Sequence, residues 1–153
     1  MSLKTLLLKQ PKIPNWTIVV LLIASGVGFL DATYLSVKHF VGSPLSCSVL
    51  DGCGDVLASS YSVVGPVPVA LIGSIYYALI FVFTVAYIDL RRSDVIVATA
   101  WFTAAGFIAT LWFVYLQMFV IHELCLYCIL SAVTATLLFV AGVRILKLKE
   151  QEN

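Results

Sequence analysis

The chain has 153 residues, 61% of them hydrophobic and only 11% charged, with a formal net charge of +1. Its mean hydropathy is +1.06. A soluble domain carries about 25% charged residues, so these values exclude a disordered chain, argue against an ordinary soluble enzyme, and leave no basic face for nucleic acid; they fit an integral membrane protein.

Four apolar stretches follow one another along the chain. The first runs from Ile13 to Leu30 without a charge and continues past Asp31 to about Phe40. Lys4, Lys9 and Lys12 precede it like the basic start of a signal peptide, but the run is too long and no A-x-A site follows, so a retained first helix is expected. Residues 41–66 then form the one long connection, with turn signals at Gly42, Pro44, Gly52, Gly54, Gly65 and Pro66. Asp51-Gly52 is a tight-turn signal that would fold Cys47 and Cys53 toward each other. From Val56 to Val64, apolar residues with interleaved serines predict a short helix or re-entrant piece over the mouth of the bundle, capped by Ser59 and Ser60. Pro66 and Pro68 would start the second span, Val67 to Ile88, where a missing N–H costs little. The third covers Val95 to Ile121 and the fourth Leu124 to Val143. Each has 18 residues or more, enough to cross a core of about 30 Å, and each must be helical because lipid offers its backbone no partners. The expected fold is therefore a single all-α membrane domain over residues 1–153. Its helices lie at about 15–40, 67–88, 95–121 and 124–146, with the outer loop at 41–66.

Charge sets the expected orientation. Lys4, Lys9, Lys12, Arg91, Arg92, Arg144, Lys147 and Lys149 would share one side, with Lys38 alone on the other. The positive-inside rule then puts both termini in the cytoplasm and the 41–66 loop outside. All four cysteines fall on that outer face, where disulfides persist. Cys125 and Cys128 open the fourth helix as Cys-Leu-Tyr-Cys. At i and i+3 they share a helix face about 5–6 Å apart, and the helix N-terminus favours a thiolate. His122 would add positive charge and Glu123 oppose it. Three readings stay open from the residues: a redox relay of two thiol pairs, two static disulfides stapling a structural tetraspan protein, or a metal site in a small ion carrier. A carrier would want cysteines within a span or on both faces, and a staple would not need the C-x-x-C spacing.

The third span has one polar face: Thr103, Gly106, Thr110, Phe113 and Gln117 recur at helical spacing, and such faces turn inward. Small residues there permit close helix packing, whereas a glutamine near the outer end is harder to explain by packing and is placed to hydrogen-bond a ligand. Asp31, an ionisable group flanked on both sides by apolar residues, is a functional candidate; its plainer role would be to sit at the outer interface and pair with Lys38 or a backbone N–H. Tyr34, His39, Trp112, Tyr115 and Tyr127 fit an interfacial aromatic belt.

Taken in order, Cys47-x5-Cys53, Val56-Leu57-Ala58-Ser59, Gly65-Pro66-Val67-Pro68 and Cys125-x-x-Cys128 resemble the vitamin K epoxide reductase family in its small prokaryotic form. The resemblance extends from about Asp31 to Cys128. It implies a four-helix bundle in a prokaryotic plasma membrane that holds a quinone, ubiquinone or menaquinone, near the outer mouth. It also implies catalytic roles for all four cysteines. Cys128 is the quinone-proximal thiol, Cys125 exchanges with Cys53, and Cys47 completes the loop disulfide that takes electrons from a thioredoxin-like thiol oxidase. Gln117, Thr110, Gly106 and Ser59 are the candidate quinone contacts, and no metal is expected. Only 10 residues, Arg144 to Asn153, follow the fourth span, so the partner is expected to act in trans. Vertebrate members carry a tyrosine four residues after the last cysteine and an asparagine near the outer end of the second helix. Here Ala132 and the amide-free stretch Val67 to Ile72 stand in those places, which favours quinone reduction over epoxide reduction.

Overall fold

The computed structural model describes residues 13–42 and 53–151, apart from the side chains of Cys53 and Leu57. Cys47 and the three N-terminal lysines lie outside the described residues. Four long helices dominate: α1 (Asn15–Val41), α3 (Val69–Leu90), α4 (Ser93–Leu116) and α5 (Leu126–Gln151), with a short α2 (Cys53–Ala58) between the first two. All four long helices are long and apolar enough to cross a membrane. The shortest, at 22 residues, spans about 33 Å at 1.5 Å per residue. Their ends are written locally. Pro14 and Pro68 stand just ahead of α1 and α3, while Gly42 (φ 64°) and Arg91 (φ 52°) close them in the left-handed conformation.

α1 packs against α3 and α5, and α4 against α5; the seam between α3 and α4 is the least closely packed of the four. Leu21, Ile80, Ile96, Leu138 and Ile145 are fully buried and fill the half of the bundle remote from the C-x-x-C. Small residues let the helices approach, as expected where lipid supplies no hydrophobic drive for helix association. A Cβ on Gly28 would strike the Tyr77 ring, and one on Gly142 would strike the Thr103 hydroxyl. Several buried hydroxyls bond within their own helices: Ser25 to Leu21 O, Ser36 to Ala32 O, Thr84 to Ile80 O, Thr99 to Val95 O. Polar links also join helices, among them Thr33 with Ser74 at 2.8 Å, and the Tyr77 hydroxyl with Ser131 and Thr134. Ile23, Leu30, Ile108 and Val140 turn outward, toward lipid.

The connection after α2 differs from the expectation. The short helix lies earlier, at Cys53–Ala58, and a 3₁₀ turn at Ser60–Ser62 leads into a two-stranded hairpin, β1 (Val63–Val64) and β2 (Val67–Pro68). β-branched valines flank Gly65-Pro66, and Gly65 takes the positive φ (63°) that a two-residue turn with glycine first requires. The second span therefore begins at Val69. Ser59 does not cap a helix N-terminus; its hydroxyl donates back to Val56 O at 2.7 Å. α5 starts at Leu126 and continues to Gln151, with Lys149 in its last turn where a cation suits the helix dipole. The Arg144 guanidinium lies 4.6 Å over the Trp16 ring. At the other end Tyr34 packs on Tyr127 at 5.3 Å, while Trp112, Tyr115 and Phe119 stack in series along α4 and its continuation.

Candidate active site

α4 does not end cleanly. At Gln117–Ile121 it widens into a π-helical turn, a feature often found at functional sites. His122 then takes φ 60° and breaks the helix. The chain runs on to Cys125, which is the N-cap of α5 rather than a residue inside it, since its carbonyl accepts the first helical bond from Ile129 N–H at 3.0 Å. Gln117 reaches across the break, and its side-chain oxygen accepts the Cys125 N–H at 3.5 Å.

The N-cap position determines the chemistry of Cys125. The first-turn N–H groups of a helix have no intrahelical partners, and here they point at sulfur. The Cys128 thiol donates to the Cys125 sulfur, and the N–H groups of Cys128 and Tyr127 add to it. Burial and the nearby Asp31 carboxylate oppose them. The donors win, and the Cys125 thiol is pulled down to about 7. His122 and Glu123, placed near the pair by sequence, do not appear among these contributions.

The two sulfurs differ in access. Cys125 is 0% exposed, covered by Leu35 of α1 and Val56 of α2. Cys128 is partly exposed and faces a cavity of about 380 Å³ enclosed by α1, α3, α4, α5 and the hairpin segment. Both thiols are free. Of the predicted contacts, Gly106, Thr110, Gln117 and Ser59 all line this cavity, as does Phe113 from the same face. Thr103 does not; it bonds to Ala100 O and packs on Gly142, because that part of the face meets α5. Thr110 spends its hydroxyl on Gly106 O at 2.9 Å. Ala132 and His39 also line the wall. Cys53 begins α2, and α2 lies against the π turn and, through Val56, against Cys125. Among the described residues no three His, Cys, Asp or Glu side chains converge as a metal-binding group.

One polar residue of the wall was not legible as a site candidate. Tyr76 lines the cavity, and its buried hydroxyl has no hydrogen-bond partner. It lies against Gly106, where a Cβ would collide with it. Neither carboxylate oxygen of Asp31 has a partner either, at 7% exposure. The expected pairing with Lys38 does not form, because Lys38 sits 5.8 Å over the Tyr34 ring instead.

A helical membrane bundle with a C-x-x-C at a helix start, opening on an apolar cavity, defines a narrow class of proteins. The model of the vitamin K epoxide reductase family matches residues 19–143, and the chain belongs to that family. It is similar to the thiol-disulfide oxidoreductase LTO1 of Arabidopsis thaliana, 33% identical over 79% of this chain. The chain spans about a third of that relative's length, 34%.

Proposed function

We propose that this protein is a membrane thiol–quinone oxidoreductase. It takes electrons from a thioredoxin-like partner outside the membrane and delivers them to a quinone, ubiquinone or menaquinone, so that the partner can form disulfides. The observation that carries this reading is the placement of Cys128 in the wall of an apolar cavity while its hydrogen-bonded neighbour Cys125 is buried as a stabilised thiolate. The residues present fit a quinone. The cavity lies within the range of small-molecule sites, its lining is largely apolar, and the unpartnered Tyr76 hydroxyl in its wall is a free donor. A quinone bound there would take up the two electrons and two protons released when the pair closes.

The chain's own part of the chemistry is thiol–disulfide exchange. Cys125, thiolate-prone at neutral pH, is the nucleophile that closes the Cys125–Cys128 disulfide while Cys128 faces the cavity. To reopen it, the Cys53 thiolate attacks the Cys125 sulfur and Cys128 leaves. Cys47 then attacks Cys53 in the mixed disulfide, releasing Cys125 and leaving a Cys47–Cys53 disulfide. A partner dithiol reduces that disulfide and leaves oxidised. Each exchange breaks one S–S bond and makes one. α2 supports this order, since it begins at Cys53 and covers Cys125.

The test is quinone reduction by detergent-purified protein with a dithiol donor. Wild type should turn over, and Cys128→Ala should lose turnover. Folded protein with free thiols that reduces neither ubiquinone nor menaquinone analogues would sink the reading and make metal binding the next candidate.

A further inference from the structure

The two cysteines of the C-x-x-C are not served by the same donors. The N–H groups of Tyr127 and Cys128 turn to the Cys125 sulfur, and that of Ile129 to the Cys125 carbonyl. In the cavity wall that Cys128 shares, Ser59 donates to Val56 O and Thr110 to Gly106 O. The donor that reaches the Cys128 sulfur is the side-chain amide of Gln117. Chemistry fixes which way that amide points. The Cys125 N–H can only donate, so the amide atom facing it, at 3.5 Å, is the oxygen. The NH2 is then left for Cys128. Gln117 opens the π turn and is 6% exposed. One buried side chain therefore holds the backbone of one cysteine and the sulfur of the other. Its spacing in the sequence points this amide at a ligand; in the fold both its ends meet the cysteines.

The exchange set out above calls for such a donor. When the Cys53 thiolate attacks the Cys125 sulfur, the Cys125–Cys128 bond breaks and its electron pair goes to the Cys128 sulfur. A new S–S bond joins Cys53 to Cys125, and a negative charge appears on Cys128 in a largely apolar wall. Charge buried there without a partner is costly. The neighbouring helices do not offset it. Asp31 of α1 brings negative charge toward the same sulfur, and α3 contributes the neutral phenols of Tyr76 and Tyr77 to the cavity, with His39 of α1 also in its wall. An N–H aimed at the departing sulfur forms a bond that strengthens as the charge develops. We propose that Gln117 is a catalytic residue of the exchange: its oxygen holds Cys125 in place while its NH2 receives the charge that Cys128 acquires as the leaving group. This rests on the order of exchange given above and not on the quinone.

The test isolates Cys128 as the single thiol by Cys47→Ser, Cys53→Ser and Cys125→Ser, which leave the backbone N–H at position 125 for Gln117. Alkylation of Cys128 by N-ethylmaleimide in detergent is then followed against pH. Gln117→Met keeps the bulk of the side chain and removes the donor. Gln117→Glu keeps an oxygen for the N–H at position 125 and, once ionised, has no proton to give. The midpoint should rise by about one pH unit in Gln117→Met, which is tenfold less thiolate at a given pH, and at least as far in Gln117→Glu. Thermal unfolding establishes that each variant is folded, and either one alone carries the test. A role confined to structure would leave the midpoint of a folded variant where it was, and midpoints that match the parent in both would overturn the assignment. In a second experiment, protein with the other three cysteines and Cys47→Ala is oxidised, and the Cys53–Cys125 bond is followed by non-reducing peptide mapping. It should form several-fold more slowly when Gln117→Met is added. Cys47→Ala protein that never forms this bond would overturn the order of exchange and the role of Gln117 with it. Neither experiment contains a quinone, so the quinone test above stands apart from both.

Discussion

Cys125 shows how much one residue's place at a helix end decides. Three donors converge on its sulfur and hold it at about 7. The lowered value means that the thiolate, the reactive form, is half populated near neutrality and grows with rising pH. Alkylation of Cys125 by iodoacetamide, followed by mass spectrometry on reduced protein with the α2 cover loosened by Val56→Ala, should rise through a midpoint near pH 7 and level off above pH 8. In Cys128→Ala the principal donor is gone, so the midpoint should move upward. A midpoint unchanged by that substitution would show that the backbone donors alone suffice.

Among the elements, α1 and α3 are joined through Gly28 and the Tyr77 ring, and Tyr77 in turn bonds to α5 at Ser131. Gly28→Ala should push this ring and destabilise the protein by about 1–3 kcal/mol, read by unfolding in detergent. Gly73→Ala is the matched control, since its Cβ would meet Ala32 at an ordinary 3.7 Å and should change stability little. The elements also show why sequence reading reached some features and missed others. The four spans were legible because a run of apolar residues in lipid has one folded solution. The cavity face of α4 was legible at Gly106, Thr110, Phe113 and Gln117 because a small or polar residue among apolar ones stands out at period 3.6. Tyr76 was hidden for the opposite reason: in Ile75-Tyr76-Tyr77 an aromatic pair reads as core, and only the tertiary partners of each hydroxyl separate the satisfied Tyr77 from the orphaned Tyr76. The π turn and the N-cap place of Cys125 depend on where a backbone breaks by a single residue, which periodicity does not resolve.

For the molecule as a whole, α1, α3, α4 and α5 bring the cavity and the C-x-x-C to one end, and the Arg144–Trp16 contact lies at the other. The charge distribution predicts that the cysteine end faces outward. In a cysteine-free background, an impermeant maleimide added to intact cells should label Glu123→Cys and leave Arg92→Cys unlabelled until the membrane is opened. The reverse pattern would put the site on the cytoplasmic face and exclude an external partner.

The covering of Cys125 by Val56 has one more consequence. α2 shields the buried sulfur and also begins at the cysteine proposed to exchange with it. Uncovering the contact and bringing up its proper reductant are then one movement, like a socket whose shutter opens only for its own plug. Small thiols in the surrounding fluid would meet the closed shutter, so electrons bound for the membrane would not leak in from reductants that have no part in the circuit.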